Sequence, residues 1–280
     1  MKLAAVVVFY HPDEENISYY KEYEKELDKL YIVDNSDDSL IRIKDTDKVN
    51  YIKLNENKGI ATALNIGAEN AIKDGFKWLL TLDQDSKISS KNINDMKKFI
   101  EKHKDEKDIG LVSPYQDIGK NDELPKDEYE DIIEIMTSGN IINLDAYKKI
   151  GGFKDWLFID CVDTEYCMNL HKNKYRVLRL NRVVMKHQLG NLIIHNFLGK
   201  PYDTYNHNYI RRYYIVRNNF YIWSMYGDIY PEYCEHLKRV QKGQVKRIIM
   251  FEKDKNRKLK MMYKGYRDYK NGIKGKLEVR

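Results

Sequence analysis

The chain has 280 residues, of which 42% are hydrophobic and 33% charged, and its formal net charge is +6. That length suits one large domain, or one domain with an appendage, and no run approaches the roughly 20 apolar residues of a membrane-spanning helix. The three cysteines are an odd and sparse set, which argues against a disulfide framework and a secreted location and favours buried, reduced thiols.

In the first third of the chain, strand-like and helix-like segments alternate. The apolar run LAAVVVFY at 3–10 predicts a buried strand rather than a signal peptide, because no small-residue cleavage site follows it. The predicted strands are 3–10, 30–36, 50–55 and 76–86. A helix is predicted at 17–30, and segment 55–75 is predicted to open on a turn and continue as a helix. This order is typical of an open, mostly parallel sheet covered by helices. Ligands of such sheets bind beyond the carboxyl ends of the strands, where His11, Asp34 and Asp83 are expected.

The rest of the chain continues this pattern and then changes character. The sequence predicts a helix at 88–108, a strand at 110–116, an exposed acidic loop at 117–131, a helix at 160–173 and a strand at 175–186. Residues 132–153 predict a strand, a break at Ser138-Gly139, a second strand and a short helix that ends at Gly151-Gly152. From about residue 205 onward the chain is tyrosine-rich, basic and helical in pattern.

The positive charge is concentrated at the carboxyl-terminal end. Residues 237–280 carry 16 Lys and Arg against 4 Asp and Glu, a balance of +12, whereas the other 236 residues carry 33 against 39, a balance of −6. Basic segments of this kind bind polyanions such as anionic lipid or nucleic acid. One interpretation is a helical hairpin that packs on the domain with a solvated basic face. The other is a membrane-surface helix whose Met, Phe and Tyr side chains insert shallowly.

Two groups of acidic residues are candidates for chemistry. Asp83 and Asp85 are two residues apart after a buried strand, where they fit either a solvated turn or a site for a divalent cation and substrate phosphates. Asp160, Asp163 and Glu165 follow the apolar segment WLFI at the start of a predicted helix. Acidic residues suit a first helical turn because of the helix dipole. A carboxylate beside an apolar wall can also have a raised pKa and serve as a base.

Two further residues admit two readings each. His187 follows a predicted strand, where it is either a structural residue or a ligand beside a metal and a diphosphate. Arg217 lies in an aromatic helix, where it either packs along the core or binds phosphate with its guanidinium group.

Seven motifs together resemble the family-2 inverting glycosyltransferases of GT-A fold. In chain order they are VDNSDD, NENKGIATALNIG, LDQDS, SGNIINLDAYKKIGGF, LFIDCVDTEYC, KHQLGN and YYIVRN. The DQDS motif, together with FID-x-VD-x-E-Y and YY-x-x-RN, is most similar to the bacterial rhamnosyltransferase branch. The resemblance covers about residues 3–220. It implies a GT-A domain at 1–220 and leaves a basic helical extension at 221–280.

The resemblance implies a nucleotide-binding edge. Asp34 and the loop after the first strand, with Tyr10 and His11, would hold the nucleobase, although most relatives have Asn or a small polar residue where His11 stands. A second segment would approach the nucleotide, and it consists of Asn57, Lys58 and Gly59, with Asn65 bracing the helix that follows.

The resemblance also implies a catalytic end with Mg²⁺ or Mn²⁺ as cofactor. The metal ligands would be Asp83, which can also face the ribose, Asp85 and His187. The catalytic base would be Asp163. The remaining substrate-binding residues would be Asp160, Glu165 at the acceptor end, Ser138 and Gly139 beside the donor sugar, and Arg217 beside the diphosphate.

The expected function is transfer of rhamnose or another hexose from dTDP-rhamnose or a UDP-sugar to a cell-surface glycan or lipid-linked acceptor. The expected location is the cytoplasm, with membrane contact through 237–280 as one of the two interpretations of that segment. A sugar nucleotidyltransferase would need a glycine-rich basic loop after the first strand, and FYHPDEEN lacks one. A nucleic-acid-binding protein would explain the basic segment but not DQDS or VDTEY. A non-catalytic nucleotide-sugar sensor is the remaining alternative.

Overall fold

The computed structural model describes residues 1–39, 41–119, 123–186, 192–197 and 199–278. These residues form two compact units. Unit 1 comprises Met1–Asp155 and Val162–His187, and unit 2 comprises Trp156–Cys161 and Gln188–Arg280. The sequence-based boundary after residue 220 falls inside a continuous helix, Tyr209–Tyr226, so the compact units divide the chain at other residues than the predicted domains do.

Unit 1 is built on an eight-stranded sheet. Its strands are β1 (Ala4–Phe9), β2 (Lys29–Asp34), β3 (Val49–Lys53), β4 (Trp78–Asp83), β5 (Ile109–Asp117), β6 (Tyr129–Asp131), β7 (Asn140–Asn143) and β8 (Arg176–Lys186). Their order is β3-β2-β1-β4-β7-β5-β8-β6. Strand β7 is antiparallel to both of its neighbours, and β6 is antiparallel to β8. The sheet is therefore mostly parallel, as the alternation of segments predicts.

Five helices accompany the sheet of unit 1. They are α1 (Glu14–Tyr23), α2 (Ile60–Lys73), α3 (Ser90–Lys102), α4 (Leu144–Ile150) and α5 (Val162–Lys172). Helix α1 begins at a capping box, in which Asp13 and Asn16 bond each other's backbone, and Ser89 caps α3 by accepting a hydrogen bond from the Asn92 backbone N–H. The sequence thus marks the starts of these helices through local hydrogen bonds.

Strand register sets the position of two acidic residues. All six residues of β1 are buried, and this strand lies between β2 and β4. Phe9 is paired with Asp34 on β2, and Val8 is paired with Asp83 on β4. Residues Asp34 and Asp83 therefore lie at nearly the same level, on the strands either side of the last residues of β1.

Three predicted elements of unit 1 are wrong in detail. The helix predicted at 17–30 ends at Tyr23. Leu27 is buried directly after a short 3₁₀ helix, Glu24–Glu26, and Leu30 is buried in β2. Their spacing reports burial in the core rather than a continuous helix. Residues 132–137, all of which the structure describes, form no strand, whereas the predicted loop at 117–131 contains β6. Pairing with β8 creates β6, and such pairing leaves no local signature.

Gly67 shows how closely α2 packs on β1. A Cβ atom at this position would lie 2.2 Å from Cγ2 and 2.6 Å from Cβ of Val6. We expect Gly67→Ala to lower the free energy of unfolding by about 1–3 kcal/mol, because an extra methyl group overpacks a filled core. Urea denaturation of both proteins measures the difference. Glu69→Ala, at an exposed position of the same helix, should change stability little, and equal stability of Gly67→Ala and wild type would contradict the packing described.

Unit 2 consists of three helices and a two-stranded hairpin. The helices are α6 (Tyr209–Tyr226), α7 (Pro231–Phe251) and α8 (Lys255–Lys270), and the antiparallel strands are β9 (Ile193–Phe197) and β10 (Lys200–Thr204). The sequence predicts the helices but not the hairpin. Glycine at position 265 lets α8 approach α6, because a Cβ there would lie 2.5 Å from the carbonyl oxygen of Tyr213. Among the described residues, no helix combines the length and the apolar composition needed to cross a membrane.

Candidate functional site

Asp34 is held in place at the carboxyl end of β2. Its carboxylate is fully buried and accepts hydrogen bonds from the backbone N–H of Ser36 (3.0 Å) and the hydroxyl of Tyr51 (2.5 Å). Burial raises the pKa of Asp34, but hydrogen bonds from Ser36, Ser39 and Tyr51 outweigh burial and hold that pKa below its usual value. Burial and the bond to Asp34 raise the pKa of Tyr51 to about 12. Asp34 is therefore a fixed anion at neutral pH.

The segment before α2 is tied to the end of β2. The side chain of Asn35 accepts a hydrogen bond from the backbone N–H of Lys58 (2.7 Å) and donates one to Oδ1 of Asn57 (3.1 Å). Oδ1 of Asn57 also accepts from the N–H of Gly59 (3.0 Å). Gly59 has a φ of 87°, a conformation that favours glycine, and immediately precedes α2. The predicted nucleotide segment 57–59 thus lies next to Asp34.

The loop after β1 contacts both neighbouring strand ends. The backbone N–H of His11 donates to Oγ of Ser36 (2.8 Å), and that of Tyr10 donates to Oε1 of Gln84 (2.8 Å). The rings of Tyr10 and His11 meet edge to face with their centroids 4.5 Å apart, and both residues are exposed. An exposed aromatic pair beside a fixed carboxylate is suited to a planar, polar ligand such as a nucleobase.

The Asp83-Gln84-Asp85-Ser86 turn is stabilised by the buried hydroxyl groups of Ser86 and Ser138. The backbone N–H of Asp83 lies 3.0 Å from Oγ of Ser86 and 3.4 Å from Oγ of Ser138, and the two hydroxyls bond each other. The N–H of Ser86 closes the turn on the Asp83 carbonyl (3.1 Å). Asp83 is half-buried and Asp85 is exposed at the rim. Ser138 is only 1% exposed, so it supports this turn from within.

The donor set of this turn fits a hard divalent cation. Asp83 and Asp85 provide carboxylate oxygens, which Mg²⁺ and Mn²⁺ prefer over nitrogen or sulfur. His187, the third predicted ligand, lies outside the described residues. Within the described ranges, three or more His, Cys, Asp or Glu side chains do not come together as a metal-binding group.

Asp163 lies at the same end of the sheet as the acidic turn. It is on the first turn of α5, and its Oδ1 accepts a hydrogen bond from the backbone N–H of Thr164 (2.9 Å). A small cavity brings Asp163 together with Thr81 and Thr137. Thr81 is two residues before Asp83 on β4, and Thr137 precedes Ser138, so both acidic positions belong to one region of unit 1.

Two other predicted residues of unit 1 are more enclosed. Glu165, on the same helical turn as Asp163, is 1% exposed. Gly139 donates its N–H to the carbonyl of Thr81 (2.8 Å) with a φ of 86°, and a Cβ there would lie 2.8 Å from the sulfur of Met185. Glycine at 139 is therefore required by both backbone conformation and space.

Asn65 joins α2 to the segment that follows α4. Its Nδ2 donates to the carbonyl of Phe153 (2.8 Å), and its Oδ1 accepts from the hydroxyl of Tyr147 (2.8 Å) and from the N–H of Phe153 (3.0 Å). This contact agrees with the bracing role that the resemblance implies for Asn65.

Unit 2 contains two predicted site residues, and the structure changes the interpretation of one. The guanidinium group of Arg217 is fully buried and donates to the carbonyls of Gly275 (2.6 Å), Trp156 (3.1 Å) and Leu157 (3.1 Å). Because these carbonyls satisfy its donors, we assign Arg217 to the packing of unit 2, which was one of its two interpretations, and not to the diphosphate contact that the resemblance implies. Asn218 next to it donates to three carbonyls of 157–160.

Asp160 is held in an unusual local conformation. Its φ is 63°, and its Oδ1 accepts a hydrogen bond from Nε of Arg211 (3.1 Å). Burial raises the pKa of Asp160, and the nearby guanidinium groups of Arg211 and Arg212 reduce that rise. Its predicted contact with substrate stays a prediction.

A separate cavity of about 610 Å³ lies at the other end of the strands, where they begin. Its walls include Lys2, Trp78 and Ile109, which are at or near the amino-terminal starts of β1, β4 and β5. Ligands of open parallel sheets bind at the carboxyl ends, so this cavity is not the candidate site.

Two residues that support the site were not identified from the sequence. Gln84 connects the β4 turn with the β1 loop, and Tyr51 holds Asp34 from the adjacent strand β3. Gln84 lies inside the DQDS motif, so its position was a usable signal. Tyr51 has no such signal, because only the register of β3 against β2 brings it to Asp34.

Comparison with known proteins agrees with this architecture. Residues 15–163 match the family described as glycosyl transferase family 2. The dTDP-rhamnosyl transferase RfbF of Shigella flexneri is 27% identical to this chain over 234 residues, which are 77% of this chain and 78% of RfbF.

Solved structures with GT-A architecture are similar to the whole chain. S. aureus TarS 1–349 in complex with UDP-GlcNAc has 15% sequence identity and a TM-score of 0.57, over 98% of this chain and 82% of that chain. GalNAc-T7 with UDP, GalNAc and Mn²⁺ has 13% sequence identity and a TM-score of 0.59, over 96% of this chain and 57% of that chain. The match to a further crystal structure of S. aureus TarS 1–349 covers 60% of the TarS chain. At these identities the likeness shows the fold alone.

The predicted GT-A fold is thus confirmed. The family match covers more than half of the 280 residues and includes Asp34, segment 57–59, the acidic turn and Asp163. The chain belongs to glycosyl transferase family 2.

Proposed function

We propose that this transferase inverts the anomeric centre of a sugar as it moves the sugar from a nucleotide diphosphate to an acceptor hydroxyl. The observation that carries the proposal is the pairing of Phe9 with Asp34 and of Val8 with Asp83. Because of this pairing, Asp34, in the predicted nucleotide-binding edge, and the acidic turn lie at the same end of the sheet. Sites of doubly wound sheets form at this end of the strands.

The nucleotide would bind along the β1, β2 and α2 ends. Buried Asp34 would help to hold the nucleobase by fixing Ser36, whose hydroxyl accepts a hydrogen bond from the backbone N–H of His11. Tyr10 offers an exposed ring for stacking on the base. Segment 57–59 would approach the phosphates through its backbone N–H groups and the lysine side chain. His11 would line the base from the rim of the same loop.

Asp83 and Asp85 would hold Mg²⁺ or Mn²⁺, with His187 as a further ligand. A divalent cation bound there neutralises negative charge on the departing diphosphate. The side chains of Ser86 and Ser138 keep the turn closed, so the two carboxylates face the donor without a rearrangement of the backbone.

Asp163 would act as the general base. Its carboxylate accepts the proton of the acceptor hydroxyl while that oxygen forms a bond to the anomeric carbon, and the bond from carbon to the diphosphate oxygen breaks on the opposite face. General-base assistance of this kind contributes about 10²–10⁴-fold to the rate. Glu165 and Asp160 would support the acceptor end, and Ser138-Gly139 would lie behind the donor sugar.

The donor we favour is dTDP-rhamnose, since RfbF is a dTDP-rhamnosyl transferase and aligns over most of both chains. A UDP-hexose is the alternative, since structures of TarS and GalNAc-T7 contain UDP or UDP-GlcNAc. The acceptor would be a saccharide or lipid-linked precursor of a cell-surface glycan.

A panel of nucleotide sugars tests the donor. We expect dTDP-rhamnose with Mg²⁺ or Mn²⁺ to raise the melting temperature of the protein, because a ligand that binds only the folded state stabilises it by mass action. Differential scanning fluorimetry with UDP-glucose, UDP-GlcNAc, dTDP and chelator controls measures the selectivity. A response to UDP-hexoses alone would move the proposal to the alternative donor, and no response to any nucleotide would contradict it.

We further propose that residues 1–220 carry out transfer and that the basic extension 221–280 contacts the inner face of the cell membrane from the cytoplasm. The net charge of +12 at 237–280 supports this, because anionic lipid attracts lysine and arginine. A nucleic-acid-binding role is less well supported, because it leaves the acidic turn and Asp163 without a purpose. A non-catalytic sensor would bind donor but transfer nothing.

A further inference from the structure

Exposed apolar side chains are concentrated on unit 2. Of the 13 large hydrophobic residues that are exposed in the described part of the chain, 11 belong to this unit. Single exposed apolar residues are ordinary on protein surfaces, but a group of them on one element indicates an interaction site.

The β9–β10 hairpin is attached to the end of α7 by aromatic contacts. The ring of Phe251 stacks on His195 at a centroid distance of 4.8 Å and lies 5.6 Å from Tyr202 and 6.0 Å from Phe197. Asp203 on β10 accepts a salt bridge from Arg247 on α7 (3.1 Å). The hairpin and the last turns of α7 are therefore packed against each other.

Five exposed apolar residues belong to the two elements that this aromatic cluster joins, and we name them the hairpin patch. They are Ile193, Ile194 and Phe197 on β9, and Ile249 and Met250 on α7. Ile194 is 65% exposed, so little of its side chain contacts the rest of the unit. The patch thus leaves aliphatic and aromatic groups in water, at a free-energy cost that a second surface would relieve.

The charges around the patch are predominantly basic. Lys200 on the hairpin and Lys246 and Lys253 near the end of α7 are exposed. Two of the nearby carboxylates form salt bridges within the unit. Asp203 pairs with Arg247, and buried Glu252 pairs with Arg212 (2.6 Å) and Lys258 (2.8 Å). An apolar centre with a lysine rim complements a membrane interface that carries anionic headgroups.

We propose that the hairpin patch docks on an anionic phospholipid bilayer, with its apolar side chains in the acyl boundary and its lysines at the headgroups. This inference rests on the membrane contact proposed above and adds the hairpin to it. A second copy of the chain is a poorer occupant, because a symmetric interface would set these basic rims against each other.

Vesicle co-sedimentation of the full chain tests the docking. We expect wild type to bind vesicles of phosphatidylcholine with phosphatidylglycerol and not phosphatidylcholine alone. Ile194→Ser with Met250→Ser should weaken binding by about tenfold or more, because two aliphatic groups no longer leave water. Lys246→Glu with Lys253→Glu should also weaken it, most strongly at low salt. A matched control is Ile229→Ser with Val240→Ser, which are exposed residues of unit 2 outside the patch.

Three outcomes would overturn the proposal: wild type that ignores anionic vesicles, patch variants that bind like wild type, or control variants that lose binding equally. Light scattering after gel filtration adds a fourth, since a change from oligomer to monomer in the patch variants would assign the patch to a second copy. Melting temperatures establish that each variant is folded. Donor-induced stabilisation, measured without lipid, shows separately whether the proposed transferase function holds.

Discussion

Replacement of Asp163 by Asn is expected to abolish sugar transfer while the protein still binds its donor. The change removes the oxygen that accepts the proton of the acceptor hydroxyl but preserves the shape of the side chain. The turnover number should fall by about the 10²–10⁴-fold that general-base catalysis contributes. Donor affinity should be nearly unchanged, because Asp163 acts on the acceptor. Transfer assays with the donor identified by the panel, together with titration calorimetry, measure both quantities.

The same substitution elsewhere in unit 1 provides the control. Asp145 is an exposed carboxylate on α4 that pairs with Lys148 (2.7 Å), so Asp145→Asn should leave both turnover and donor affinity unchanged. The pH dependence adds a second readout, because only the loss of a base removes the acidic limb of the rate profile. Near-wild-type transfer by Asp163→Asn would show that another group takes the proton.

The second large effect is expected at Asp85. Asp85→Asn removes one of two carboxylates of the acidic turn, so a divalent cation should bind more weakly. The concentration of Mg²⁺ or Mn²⁺ for half-maximal donor binding should rise by about tenfold or more, which corresponds to a loss of about 1.4 kcal/mol. Titration of the metal at fixed nucleotide concentration, followed by fluorimetry or calorimetry, measures this shift without an acceptor.

Asp105→Asn serves as the control for metal binding. Asp105 is exposed and lies between α3 and β5, at the amino-terminal edge of the sheet. Its substitution changes the net charge equally but should leave the metal requirement as in wild type. If both variants shift the metal response to the same extent, general electrostatics rather than ligation explains it. Metal-independent donor binding by wild type would contradict a metal role for this turn.

Much of the sheet of unit 1 could be predicted from the sequence, because the patterns that indicate its strands are local. Continuous apolar runs predicted β1, β2 and β4, since strands covered on both faces contain few polar residues. Capping residues such as Asp13 and Ser89 are a further local signal, which the predicted helix starts at 17 and 88 did not use. Strand β6 and the β9–β10 hairpin were missed, because pairing between segments rather than composition defines them.

The candidate site could be predicted from the sequence only in part. The motifs indicated the acidic turn, Asp34 and Asp163, and the structure brings all three to one end of one sheet. The chemistry of Arg217 allowed core packing or phosphate binding, and the resemblance implied the second, yet its guanidinium group binds carbonyls within unit 2. A guanidinium group bonds equally well to either acceptor, so residue type alone does not distinguish them.

The sequence by itself determined the class of sheet, the positions of its first strands along the chain and the residues capable of chemistry, because periodicity and turn chemistry act over a few residues. Only the tertiary structure decided that Tyr51 fixes Asp34, that Gln84 joins two loops and that Ser138 supports Asp83. These contacts link residues 17, 74 and 55 positions apart in the chain. They depend on strand order and register, which pairing across the whole sheet sets and no single segment encodes.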